Sequence, residues 1–145
     1  MHLDPQKYPL KTKYVDNSIY VFDPIRKKYL ILTPEESVRQ TLLNYLIHEH
    51  GYSLAHISIE KKILVNGLTK RYDLVVYKDN VPYILIECKA PKVKLTREAI
   101  EQACTYNFAL KADYLLISNG IRNLLVEFNH DKSIYEYIED LPNAR

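Results

Sequence analysis

The stretch KRYDLVVYKDNVPYILIECKAP, residues 70–91, contains two apolar runs of strand character, and each carries one acidic residue in an oily context. Asp73 sits in the first run and Glu87 in the second, with Lys89 two positions further on. Between the runs lies Asp79-Asn80, a pair of residues that tolerate the left-handed conformation of a tight turn, so the segment predicts an antiparallel hairpin. Successive strand side chains point to opposite faces, so Glu87 and Lys89 share one face while Ile86 and Cys88 take the other. Parity then matters for Asp73. A two-residue loop pairs Lys78 with Val81 and sends Asp73 to the face opposite Glu87. A three-residue loop, or a bulge, brings both carboxylates to one face. The expectation is the loop or bulge that does so, with Asp73, Glu87 and Lys89 converging in one pocket.

Working outward, Ile57 to Lys78 supplies the rest of a three-strand meander, with Asn66-Gly67 as its first turn. Upstream, TPEESVRQTLLNYLIHEHGY (33–52) predicts a helix with Thr33 as N-cap, Pro34 at its first position and Glu36 three residues after the cap, ending at Gly51. Val38, Leu42, Tyr45 and Leu46 form its apolar stripe. His48 and His50 are assigned to the helix end, where positive charge is favoured. Before it, Ile19–Phe22 and Tyr29–Leu32 predict a small hairpin around Asp23-Pro24, within an N-terminal extension over about residues 1–32.

Downstream, Thr96 caps a helix through about Lys111, whose Ile100, Ala103, Cys104, Asn107 and Leu110 lie on one face. Two strands around Asn119-Gly120 follow, and SIYEYI (133–138) adds a short last one. The order helix, three strands, helix, two strands predicts an α/β fold, a central mixed sheet flanked by helices.

Composition bounds the possibilities. The chain has 145 residues, 47% hydrophobic and 26% charged, which suits a single domain over residues 1–145. No run of about 18 apolar residues and no signal-peptide core occurs, so a cytoplasmic protein without a membrane partner is expected. The two cysteines, Cys88 and Cys104, lack zinc-ligand spacing and are expected as reduced core residues. With glycine only at 51, 67 and 120, no phosphate-binding P-loop is possible, so there is no ATP site in this chain. The net charge of +2 does not by itself argue for nucleic acid. Its distribution does more: Lys92, Lys94 and Arg97 follow directly on the acidic pair and are candidate DNA contacts. The thirteen tyrosines offer stacking surfaces for bases, although packing is their commoner use.

Two carboxylates and a lysine on one face make a hard-oxygen site for Mg2+ or Mn2+ with an amine beside it, which suits phosphodiester hydrolysis. Asp73 and Glu87 are the candidate metal ligands and Lys89 the electrostatic aid. Glu60 is a weak supporting candidate on the first strand of the meander.

These residues resemble a known family. Asp73 followed by Glu87-x-Lys89 across a hairpin and before a helix resembles the catalytic motif of the PD-(D/E)xK, or restriction-endonuclease-like, nucleases. Gln102-x-x-x-Tyr106 resembles the QxxxY motif of the subgroup that includes type I restriction R subunits and RecB-type nucleases. FDPIRKKYLILTPEESVRQ (22–40), KRYDLVVY (70–77), IECKAP (86–91) and SNG (118–120) together resemble standalone type I restriction enzyme R-protein N-terminal domains. The likeness covers about Asn17 to Asn129.

The resemblance implies a restriction-endonuclease-like core and a Mg2+-dependent DNA endonuclease tied to restriction-modification or DNA processing. It implies Asp73 and Glu87 as metal ligands, Lys89 as the aid to the attacking water, and Gln102 and Tyr106 as positioning groups. Glu36 is a further metal candidate, since related nucleases often bring a glutamate from the first helix, but the capping box explains it more simply. Tyr72 departs from the pattern, standing where many members have proline. Expected partners are DNA and a second copy of the chain or restriction-modification subunits, because cutting both strands needs two sites. The other reading is a non-catalytic nucleic-acid- or partner-binding module that keeps the fold.

Overall fold

The computed structural model describes residues 1–145, except for the side chain of Val65. The fold is mixed α/β, with a six-stranded sheet, a separate three-stranded antiparallel sheet and two α-helices. The small sheet comprises β1 (Thr12–Val15), β2 (Ser18–Asp23) and β3 (Lys28–Ile31). Sequence reading anticipates β2 and β3 and misses β1. Its signal was the pair Asp16-Asn17, whose φ values of 49° and 63° fit a two-residue hairpin turn.

Helix α1 (Pro34–His48) starts where its cap predicts, with Thr33 Oγ1 accepting from the Glu36 amide at 3.0 Å. Beyond α1 come β4 (Ile57–Val65), β5 (Leu68–Lys78) and β6 (Val81–Cys88), joined by the left-handed turns Asn66-Gly67 and Asp79-Asn80. Helix α2 (Arg97–Leu110) follows, capped by Thr96 Oγ1, which accepts from the Ala99 amide at 3.2 Å. The chain then crosses to β7 (Tyr114–Ser118), parallel to β6, and finishes with antiparallel β8 (Asn123–Asn129) and β9 (Ile134–Tyr137).

The large sheet runs β4-β5-β6-β7-β8-β9, and each helix covers one face of it. On the α1 face, Leu42, Leu43 and Leu46 meet Leu74, Val76, Ile84, Ile86 and Leu116. On the α2 face, Ile100, Ala103 and Cys104 meet Tyr72, Val75, Leu85, Leu115 and Ile117. Each fully buried aliphatic side chain contributes about 1.5–3 kcal/mol by leaving water. Sheet strands covered on both faces must be apolar throughout, which is why VPYILIEC has almost no alternation. Asn107, on the apolar face of α2, is buried and braces the exit of that helix: its side chain donates to Ala112 O at 2.8 Å and accepts from Ala112 N at 3.0 Å.

His50 lies beyond the end of α1. It is buried against the C-terminal segment, its Nδ1 2.9 Å from Asn143 Oδ1 and its carbonyl accepting from Ala144 N. Both cysteines are free and buried, and burial pushes the Cys104 thiol up to about 11. Among the described residues, no helix is long and apolar enough to cross a membrane.

Gly120, in the β7–β8 turn, has a φ of 86°, and a β-carbon there would stand 3.1 Å from Val38 Cγ2 of α1. Gly120→Ala is therefore expected to cost about 1–2 kcal/mol, through left-handed strain and crowding together. Gly51→Ala has a similar φ of 75° but open space around it, so it should cost less. Thermal denaturation of the two variants side by side checks the difference.

Candidate active site

The β5–β6 hairpin decides where the acidic residues lie. Its loop has two residues, Lys78 pairing with Val81 and Tyr77 with Pro82. The register then shifts: Val76 pairs with Ile84, leaving Tyr83 as the extra residue of a bulge. Beyond it Val75 faces Leu85 and Leu74 faces Ile86, so the count continues to Asp73 opposite Glu87.

The ladder stops at Leu74, however, and strict alternation stops with it. Tyr72 and Val75, three apart, both belong to the α2-side core, while Leu74 belongs to the α1 side. The break falls at Asp73, and Glu60, between the β4 partners of Tyr72 and Leu74, has a φ of 52°. Asp73 consequently turns its carboxylate to the α1 side. Its Oδ1 accepts from Arg39 Nη2 at 3.2 Å, and its Oδ2 accepts from the Cys88 backbone amide at 2.7 Å.

Glu87 turns the other way. It lines a pocket of about 340 Å³ on the α2 side, together with Lys70, Lys89, Lys94, Gln102 and Tyr106. The expectation of one pocket for the whole set is thus corrected. Glu87, Lys89, Gln102 and Tyr106 share it, and Asp73 is not among its lining residues. The Cys88 amide that binds Asp73 is nonetheless joined directly to the Glu87 carbonyl, so one peptide unit links the two acids.

Within the pocket, Lys70 Nζ stands 2.7 Å from Glu87 Oε1 and lies 5.6–5.7 Å from the ring centres of Tyr106 and Tyr72. That approach is an ion pair without hydrogen-bond alignment, and Glu87 Oε1 is buried with no hydrogen-bond partner. Burial, with the Glu87 charge next in importance, raises the Tyr72 phenol well above its usual value. Tyr72 thus places a fully buried ring beside the Lys70 ammonium.

On the α1 side the charges form a chain of contacts. Asp23, fully buried, accepts from Arg26 Nε at 2.6 Å, and Arg26 Nη2 donates to Glu36 Oε1 at 3.0 Å. Arg39 Nη1 donates to the same oxygen at 3.0 Å, and Gln40 donates to Glu36 Oε2 at 3.3 Å. Glu36 therefore gives its carboxylate to arginines rather than back to the Thr33 amide, which donates to Ile31 O instead. Glu60 pairs with Arg71 at 2.6 Å and approaches Arg26 and Arg39 at 3.5 and 3.7 Å.

The basic run is exposed. Lys94 reaches the pocket, Lys92 does not, and Arg97 lines the neighbouring hollow while donating to Glu101 at 2.9 Å. The loop that carries Lys92 and Lys94 is fixed by Asn119, whose side chain donates to Val93 O at 2.9 Å.

With this geometry in view, the comparisons are specific. The family described as "Type I restriction enzyme R protein N terminus (HSDR_N)" matches residues 34–142, from the start of α1 past the end of β9. The chain belongs to this family. A solved fragment assigned to the HsdR subunit of a type I restriction enzyme from Vibrio vulnificus YJ016 is similar, with a TM-score of 0.53 at 17% identity. The similarity covers 77% of this chain and 24% of that one, so the chain spans about a quarter of its length, and at that identity it speaks for the fold alone. No curated protein matches.

Sequence reasoning missed two residues of this R-protein N-terminus site. Lys70 shares the i, i+2 parity of Tyr72, and Arg39 follows Glu36 by three residues on the buried side of α1. Both were legible as positions but not as partners of acids far away in the chain.

The ion pairs also reverse an expected effect. Repulsion between two bare carboxylates predicts that Asp73→Asn stabilises the fold. Since Asp73 accepts a charge-assisted bond from the nearly buried Arg39, Asp73→Asn should instead destabilise it by about 1–3 kcal/mol, measured by urea unfolding.

Proposed function

We propose that the chain is a metal-dependent DNA endonuclease of the PD-(D/E)xK type, acting in restriction-modification or DNA processing. The observation that carries this reading is the α2-side pocket, where Glu87, paired with Lys70 at 2.7 Å, stands beside Lys89, Gln102 and Tyr106.

The donor set fits Mg2+ or Mn2+. Such ions keep several waters and use one or two protein carboxylates plus substrate phosphate, so a cage of three or more acidic, His or Cys ligands is not needed, and none is found among the described residues. Glu87 would hold the metal in the pocket, and Asp73, held by Arg39 and the Cys88 amide, is the second candidate ligand. When bound, the ion supplies Lewis-acid polarisation of the phosphate and a more acidic water.

The chain's own groups do the rest. Lys89 positions the attacking water and offsets the charge that develops on the phosphate oxygens. Gln102 and Tyr106, one helical turn apart, orient the nucleic-acid backbone at the pocket rim. Lys70 neutralises Glu87 until a stronger cation arrives. Cleavage of both strands would require a homodimer or partner subunits.

A second reading, a non-catalytic module that grips nucleic acid or a restriction partner, is favoured by one observation: Asp73 is turned away from the pocket and neutralised by Arg39. Plasmid nicking with Mg2+ or Mn2+ separates the two. Nicking that falls at least a hundredfold in Lys89→Ala supports the nuclease. Equal rates for wild type and variant, or no nicking by either, favour the module. Calorimetric Mn2+ titration adds an independent readout, since Glu87→Gln and Asp73→Asn should each weaken binding by removing an anionic oxygen.

The basic loop yields its own expectation. Lys92→Ala with Lys94→Ala should weaken binding to any duplex and lower the salt slope of log affinity by about 1.8, or 0.9 per charge, with Mn2+ binding unchanged. Anisotropy titrations at several salt concentrations would measure it, and an unchanged slope would place the DNA path elsewhere.

A further inference from the structure

The three-stranded sheet β1–β3 lies outside the pocket and has two unlike faces. Its inner face holds Val21 and Asp23, both fully buried, and carries Tyr14 and Ile19 exposed toward the β1–β2 turn. Its outer face is fixed by register. Phe22 pairs with Tyr29 and donates its amide to Lys11 O, Lys13 pairs with Tyr20 and Tyr20 with Ile31, and Val15 pairs with Ser18. Those rows contain three aromatic rings and two lysines and no carboxylate. Of the neighbouring acids, Asp16 is in the β1–β2 turn at one end of the sheet, and Asp23, next to Phe22, is buried and bonded to Arg26 on the inner side.

The lysines lie on the rings. Lys11 Nζ is 4.6 Å from the Phe22 ring centre and Lys13 Nζ is 3.9 Å from that of Tyr29, while Phe22 and Tyr29 are 5.4 Å apart. Lys11 and Lys13 are exposed, Ile31 is 57% exposed, and Tyr20, Phe22 and Tyr29 are half-buried. Lys27 and Lys28, also exposed, extend the positive charge past the end of the face.

An uncharged apolar partner would leave these ammonium groups buried and unpaired, which is costly. A ligand with a flat apolar surface and a regular anionic chain satisfies both features. Bases stack on aromatic rings without regard to sequence, and each nucleotide brings a phosphate for a lysine. Paired bases hide their faces, so a duplex cannot use the rings. We propose that the outer face of the β1–β3 sheet binds single-stranded nucleic acid, with bases stacking on Tyr20, Phe22 and Tyr29 and phosphates taking Lys11 and Lys13. Exposed cation–π contacts are weak, so the lysines move from ring to phosphate at little cost.

The test uses the full chain with oligo(dT) and oligo(U) in EDTA, read by fluorescence anisotropy at several salt concentrations. Lys11→Ala with Lys13→Ala should lower the salt slope by about 1.4, at roughly 0.7 per phosphate contact for single strands. Tyr29→Ala should weaken binding about tenfold or more. Because the chain has no tryptophan, Tyr20→Trp installs a single indole reporter, whose emission should be quenched by oligo(dT). This reporter also guards against a variant that merely misfolds.

Unchanged slope in the lysine double variant, or unquenched emission at position 20, overturns the proposal. So does a face that pairs copies of the chain, seen as a dimer lost in Tyr29→Ala with oligonucleotide affinity intact. Lys132→Ala, in the exposed β8–β9 turn and outside the pocket, should bind oligo(dT) like wild type. If Lys89→Ala alone abolishes binding, the strand lies in the pocket: this inference then fails while the nuclease reading survives. Comparison of the two oligonucleotides tells DNA from RNA.

Discussion

Glu87 lies on a strand that is bonded along both edges and covered on both faces. β6 pairs with β5 on one side and β7 on the other, with α1 over one face and α2 over the other. A carboxylate on such a strand must be paired or placed in a cavity, because an isolated buried charge is prohibitively expensive. The remaining arrangement answers that constraint. Lys70 from β5 approaches Glu87, α2 leaves a pocket above it, and Lys89 comes just after the last residue of β6, where its amide still bonds to Ser118 of β7.

Asp73 answers the same constraint by another route. The loss of alternation at Asp73 lets its carboxylate reach the α1 side, where Arg39 and the Cys88 amide receive it. Through Arg39 it joins Glu36, Arg26 and Asp23, so the N-terminal sheet and α1 are electrostatically tied to the strand that carries the motif. The N-terminal segment is thereby part of the site's support as well as an extension in front of it. Networks of this kind are strong only when every member is satisfied, so a change at Arg26 or Glu36 should be felt at Asp73.

Both acids of the motif are therefore held by cations, on opposite sides of one peptide unit. Anything that binds Glu87 or Asp73 has to displace the Lys70 or the Arg39 contact first.

Much of this was legible in the sequence because it is local. The caps Thr33 and Thr96, the turn pairs Asn66-Gly67 and Asp79-Asn80, and the apolar faces of α1 and α2 follow from short-range chemistry, and each appears where the pattern places it. The sharing of one face by Glu87 and Lys89 follows from strand periodicity and is also local, whereas Gln102 and Tyr106 were expected beside them from the family resemblance and reach the pocket through the packing of α2 on the sheet. The first strand of the small sheet was missed because its turn, Asp16-Asn17, lacks glycine and its residues, exposed throughout, show no apolar alternation. What tertiary structure alone decided was the side to which Asp73 turns. That depended on a left-handed residue at Glu60 in the neighbouring strand and an arginine 34 residues away, which together undo the common face that the bulge at Tyr83 sets up for Asp73 and Glu87. Parity is a rule about an ideal ladder, and a buried charge stays with its nearest cation even where the ladder must break to allow it.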